Sequence, residues 1–202
     1  LRRTDEPMDA HRARCTAKLR ELLGMDSFVR CAPSLTVTED TAENGVRRIH
    51  FTVETEPGYL AHADLLLPQS QTGPLPLCCC LQGHSKGSHI SLGIAKYPGD
   101  EETIRGGDRD FAVRALAEGY AALAIEQRNF GVCGGTEAGP ACLDASLTAM
   151  LLGRTTIGER VWDISRVVDA VLENYSAYVT MDNSVLMGNS GGGTATWYAA
   201  CL

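Results

Sequence analysis

Five consecutive residues, Gly188-Asn189-Ser190-Gly191-Gly192, carry the clearest chemical signal in this chain. They form Gly-x-Ser-x-Gly, preceded by the apolar run Val185-Leu186-Met187 and followed by a small-residue helical pattern that ends at Leu202. A serine hydroxyl is a weak nucleophile unless it is exposed, set beside a base and faced by donors for the oxyanion it creates. A sharp turn between a buried strand and a helix gives that exposure, and it crowds the flanking backbone so that neighbouring positions favour glycine. Ser190 is therefore the candidate nucleophile of an acyl-transfer site.

Such a turn acts only in company. Two other apolar runs end in polar, glycine-containing segments. Leu75 to Leu81 leads into Gln82-Gly83-His84-Ser85-Lys86-Gly87, and Tyr120 to Ile125 leads into Glu126-Gln127-Arg128-Asn129-Phe130-Gly131. Both runs are almost uniformly apolar, as strands buried on two faces must be. Strand ends of a parallel sheet converge on one crevice, so all three segments are expected at the same rim. The oxyanion donors expected there are the N–H of Gly191, next to the serine, and the N–H of His84, with Ser85 in reserve. Ser85, Glu126 and Arg128 are the candidates for substrate contact. Glu126 has a structural alternative, an ion pair with Arg128, and Arg128 has one in bracing the glycine loop.

The remaining elements fit a sheet with helices. Ala10 to Leu23 reads as a helix stopped by Gly24. Val46 to Thr55 alternates, with Ile49, Phe51 and Val53 on one face; after Glu56-Pro57-Gly58, Tyr59 to Leu67 alternates less cleanly, and the two read as an antiparallel pair. Asp110 to Glu118 is a helix ending at Gly119. Glu126 to Gly153 shows five glycines and no clear period, so it is expected to be a long loop. Ile157, Val161, Ile164, Val168, Val171 and Tyr175 recur at steps of three and four, the strongest helical stripe in the chain, with Thr156 and Glu159 as a candidate capping box. Residues 1–45 are expected to be an N-terminal helical extension, and 46–202 to belong to one catalytic domain.

Several segments together resemble the α/β-hydrolase superfamily, in the branch of acetyl xylan esterases and dienelactone-hydrolase-like proteins. They are Tyr59-Leu60 through Leu67-Pro68, Leu81-Gln82-Gly83-His84-Ser85, Gln127-Arg128-Asn129-Phe130-Gly131, Arg160-Val161-Trp162-Asp163 and Gly188-Asn189-Ser190-Gly191-Gly192-Gly193. Gln82 stands where that family usually has a histidine. The resemblance implies a doubly wound, mostly parallel sheet with an antiparallel N-terminal strand pair, incomplete at the C-terminus. It implies Ser190 as nucleophile at a nucleophile elbow, with Gly191 and His84 as the oxyanion hole. In this family the acid and the histidine of the triad follow the serine, so both are expected beyond Leu202 and the 202 residues alone are expected to be inactive.

The implied activity is hydrolysis of small acyl esters, acetyl groups on a carbohydrate among them. A lactone or amide hydrolase using the same site, and a non-catalytic binding module, are the alternatives. None of the five histidines is expected to be the base; His84 belongs to the oxyanion loop. Lys86 and the run Asp100-Glu101-Glu102 read as solvated surface, and Trp162 as packing.

Composition narrows the partners. The chain has 202 residues, 44% of them hydrophobic and 21% charged, which suits one globular core. A net charge of −7 argues against nucleic acid and anionic membranes, which need clustered cations. No run is long enough to span a bilayer. The expected partner is a small-molecule or carbohydrate ester; a homo-oligomer and a C-terminal remainder of the same protein stay open. No metal and no organic cofactor is implied: the eight cysteines hold no C-x-x-C pair, and the glycine run lacks the P-loop Lys-Ser/Thr ending. Most of the cysteines read as reduced, buried small residues of a cytoplasmic protein, with Cys133–Cys142 the pair that an oxidising compartment would bridge.

Overall fold

The computed structural model describes residues 3–32 and 34–202; Leu1, Arg2 and Pro33 lie outside the described residues. The elements run α1 (Met8–Leu23), β1 (Ser34–Glu43), β2 (Val46–Glu56), β3 (Tyr59–Pro68), β4 (Leu75–Leu81), α2 (Asp100–Arg105), α3 (Phe111–Ala117), β5 (Ala121–Ile125), α4 (Cys142–Leu151), α5 (Thr156–Tyr175), β6 (Val179–Gly188) and α6 (Gly191–Ala199). The six strands form one mixed sheet in the order β1-β2-β3-β5-β4-β6. β4 pairs in parallel with β5 and β6, while β1–β2, β2–β3 and β3–β5 are antiparallel. Four strands thus run one way, and β1 and β3 oppose them.

Alternation along the buried strands sorts side chains to two cores. Phe51, Leu65, Cys79, Leu81, Leu123 and Ile125 face α5 through Ile164, Val167 and Val171. Leu66, Cys78, Cys80, Ala122 and Ala124 face the opposite side, against Ala112 and Ala115 of α3. The triple cysteine therefore splits across the sheet, as a strand's two-residue period requires. Burial pushes the Cys79 thiol up to about 12, so it behaves as a small apolar side chain. All eight cysteines are free, the Cys133–Cys142 pair included.

Three expectations change. Residues 34–43, expected within a helical extension, form the outer strand β1 on β2, with a register shift between Val37 and Glu39. Nine of its ten residues are exposed, so no inward apolar alternation marks it in sequence. The segment expected as a long loop contains α4, in which only Ala149 is buried and Leu143, Leu147, Met150 and Leu151 face out. With its apolar residues pointing outward, it leaves no core-facing stripe to read. Helix α5 is capped by Thr155, not Thr156: Thr155 is extended (φ −120°, ψ 150°) and its side chain accepts from the Gly158 N–H at 2.9 Å. Thr156 is already helical, and Glu159 turns to the arginines described below instead of closing a capping box.

Candidate active site

The chain passes from β6 to α6 through Ser190, which has φ +49° and ψ −115°. A side chain in that region is strained, and it is held there because the surrounding backbone allows no other path. Three glycines create the confinement. A Cβ on Gly192 would lie on the Leu81 carbonyl oxygen and 2.5 Å from that of Gln82. On Gly188 it would stand 2.6 Å from Thr196 Oγ1, and on Gly83 it would stand 2.7 Å from Asn189 O and 3.0 Å from Ser190 Cβ. The end of β4 and the serine turn are therefore packed backbone to backbone, tied by the Asn189 N–H donating to Leu81 O at 3.2 Å.

Ser190 is exposed. Its hydroxyl has no side-chain partner among the described residues, and neither does the N–H of Gly191 or of His84 have an acceptor. Two free donors and a free hydroxyl thus share one small region. The His84 ring also lies close: a Cβ on Gly191 would be 3.3 Å from its Nδ1. Its Nε2 is 3.4 Å from Cys142 Sγ at the start of α4, and Arg160 donates to that sulfur at 3.5 Å.

The three candidates for substrate contact are buried. Ser85 is buried; its N–H donates to Gly83 O at 2.7 Å and its hydroxyl to Gly87 O at 3.4 Å, so it serves the loop's own shape. Glu126 is buried under that loop and accepts from Ser88, not from Arg128. Burial pushes its carboxyl up to about 7, against the lowering effect of the Ser88 hydrogen bonds. It lines a cavity of about 200 Å³ with His50, His62, Asp64 and His89, which Ser190 does not border. A larger cleft of about 680 Å³ runs beside β6 between α5 and α6, and Ser190 does not line that one either.

Arg128 is buried in an ion-pair cluster. Its Nε donates to Asp163 Oδ2 at 2.6 Å, and its Nη2 to Asp163 Oδ1 at 2.9 Å and Glu56 Oε1 at 2.7 Å. The guanidinium lies 3.8 Å from the Tyr59 ring centre. Burial works against its charge, but the bonds to Asp163 and Glu56 outweigh that and raise it above its ordinary value. Thr55 donates to Asp163 at 2.6 Å, and Arg154 donates to Glu56 at 2.8 Å. This network joins β2, β5 and α5 and brings Glu159 near both arginines. Arg128 thus braces the fold, the structural alternative read for it. Gln82, which replaces the usual histidine, donates to Ser91 Oγ at 2.7 Å and Arg109 O at 2.8 Å, and so anchors the loop after β4.

Two surface expectations also change. Asp100 is buried and accepts from His89 Nε2 at 2.9 Å and from the N–H groups of Lys96 and Tyr97. Burial raises its pKa, yet those bonds outweigh it and hold it below the ordinary carboxylate value. Lys86 donates to Pro98 O at 2.6 Å and lies 3.5 Å from Asp100. In sequence, neither residue shows more than a charged run in a loop. Trp162 packs as expected, stacked on Phe28 with 5.0 Å between ring centres, and its indole N–H bonds Thr55 O. Of the other histidines, His11 pairs with Glu6 on the N-terminal helix side, and none bonds Ser190.

Comparison with solved structures identifies the fold. A Bacteroides fragilis chain designated a candidate acetyl xylan esterase superposes with a TM-score of 0.81 at 16% identity, over 95% of this chain and 49% of that one. Methylesterase BT1017 gives 0.66 at 19% identity, over 96% and 39%. A glucuronoyl esterase from Solibacter usitatus gives 0.59 at 17%, over 96% and 56%. The fold is shared with these esterase structures. The chain spans about half the length of these structures. No protein-family profile matches the sequence, and no curated protein matches it. Among the described residues, no helix is long and apolar enough to cross a membrane.

Proposed function

We propose that the protein is a serine esterase that cleaves small acyl esters through an acyl-enzyme on Ser190. The observation that carries this is the strained, exposed Ser190 set beside two N–H groups that nothing else engages. In the proposed reaction Ser190 Oγ attacks the ester carbonyl carbon and its proton passes to a base. The carbonyl oxygen takes the negative charge against the Gly191 and His84 N–H groups. The C–O bond to the alcohol then breaks, the alcohol leaves with the proton, and water releases the acid by the reverse sequence. Electrostatic stabilisation by donors already in place is the largest single contribution such a site makes.

The base is proposed to come from a histidine outside these 202 residues, held by a carboxylate, in the order the family resemblance implies. A carbohydrate ester, acetylated sugars foremost, is the substrate class proposed, because similar folds carry acetyl xylan, methyl and glucuronoyl esterase names. A fluorophosphonate probe applied to the full-length protein tests the nucleophile. Labelling at Ser190, abolished in Ser190→Ala together with acetyl-ester hydrolysis, is the expected result. A folded full-length protein that resists the probe would overturn the reading in favour of a binding module, which the partnerless Ser190 hydroxyl supports. Parallel assays on an acetyl ester, a lactone and an anilide rank the substrates.

A further inference from the structure

The segment 83–90 carries the His84 N–H, and its two ends are fixed in different ways. At the first end Gly83 lies against Asn189 and Ser190. At the other, the Ser88 N–H donates to Glu126 Oε1 at 3.0 Å and Oε2 at 3.1 Å, and the Ser88 hydroxyl donates to Oε2 at 3.2 Å. Both residues are buried. Glu126 leaves the end of β5, and its own N–H donates to His62 O on β3 at 2.9 Å. Its carboxylate is thus referenced to the sheet. Two glycines enclose it: a Cβ on Gly87 would stand 2.8 Å from Oε2, and one on Gly131 would overlap the same oxygen. Glycine at both positions leaves room for the carboxylate, and both of its oxygens receive Ser88.

We propose that Glu126 is a positioning residue for ester hydrolysis: by fixing Ser88 it holds the segment 83–90 so that the His84 N–H stays aimed at the oxyanion above Ser190. This rests on Ser190 being the nucleophile and deepens that reading of the same site. The contact is distant from the acyl group, so it leaves ground-state binding alone. It acts in the transition state, where the donor must meet a developing charge at hydrogen-bond length. Withdrawing an oxyanion donor lowers kcat by about 10²- to 10³-fold; letting one drift lowers it by less, about 10- to 100-fold.

The experiment uses the full-length protein with p-nitrophenyl acetate for kinetics and a fluorophosphonate for the rate of Ser190 labelling. Glu126→Met fills the space without an acceptor, and Glu126→Gln keeps an oxygen at the same place. The expected result is a kcat lower by about 10- to 100-fold in Glu126→Met, with KM within about twofold and labelling slowed in parallel. Glu126→Gln is expected to recover kcat to within about threefold of wild type. If Glu126→Met does not fold, Ser88→Ala, which removes only the hydroxyl donor, is expected to lower kcat by about three- to tenfold at unchanged KM. A folded Met variant with wild-type kcat, a loss confined to KM, or a folded Gln variant as slow as Met overturns the positioning role; where only Ser88→Ala is folded, an unchanged kcat does so. A wild type that neither hydrolyses the ester nor reacts with the probe overturns the nucleophile reading itself, so the two failures are told apart.

Discussion

The two segments that meet at Ser190 are held by opposite means. The serine turn is fixed by the absence of side chains: Gly83, Gly188 and Gly192 let two backbone segments touch, and that contact fixes Ser190 in its strained conformation. The loop that faces it is fixed by buried carboxylates, Glu126 on Ser88 and Asp100 on His89. Steric confinement is all or none, because a methyl group either fits or does not. Polar ties are graded and respond to pH, because each depends on a proton. One side should therefore fail abruptly and the other by degrees.

The largest effect expected is from Gly192→Ala. Its Cβ would meet only backbone, which cannot rotate away, so we expect a loss of at least about 3 kcal/mol in denaturant unfolding. A variant of normal stability would break the contrast between the two sides. Arg128→Met comes next. It strips the buried Asp163 of its cation and leaves Glu56 to Arg154 alone, and removing one partner of a buried pair costs about 3–5 kcal/mol. Replacing Asp163 by Leu in the same molecule should return part of that loss, and urea melts of both variants measure it.

The third prediction concerns pH. Glu126 titrates near 7 in the folded protein against 4.5 for a freely solvated glutamate, so folding favours its protonated form. That contribution is complete below about pH 4.5 and is lost as pH rises through about 7. Between pH 5 and 8 the wild type should lose stability relative to Glu126→Gln, which stays neutral, by on the order of 3 kcal/mol. Parallel melting curves test the sign; a wild type that gains on the variant as pH rises would reverse the assignment. The smallest effect is at Asp100→Asn. The amide keeps one oxygen for His89 and the N–H groups of Lys96 and Tyr97 but gives up the charge that strengthens those bonds and faces Lys86, so a loss of about 1–2 kcal/mol is expected in the same melts.

Much of the frame was legible in sequence. The stripe from Ile157 to Tyr175 and the uniformly apolar runs before Gln82 and Glu126 appear as α5, β4 and β5. Ser190 appears between a strand and a helix as its glycines required. What escaped notice was whatever lacks periodicity: β1, an exposed outer strand, and α4, whose apolar side chains face solvent. The site residues divide in the same way. His84 and Gly191 lie next to one another, a nearness that chain order around the motif implies. Glu126, Arg128 and Ser85 do not, because a charged or polar residue at a strand end has the same signature whether it faces a substrate or a buried partner.

The strands β4 and β5, the helix α5 and the serine turn were therefore determined by the linear sequence, since each shows in a pattern of residues a few positions apart. Which charges meet was decided only in three dimensions. Arg128 finds Asp163 and Glu56 at separations of 35 and 72 residues, and Glu126 finds Ser88 across 38. Burial strips water from these groups and makes a specific partner compulsory, and only the packed sheet selects which partner is within reach.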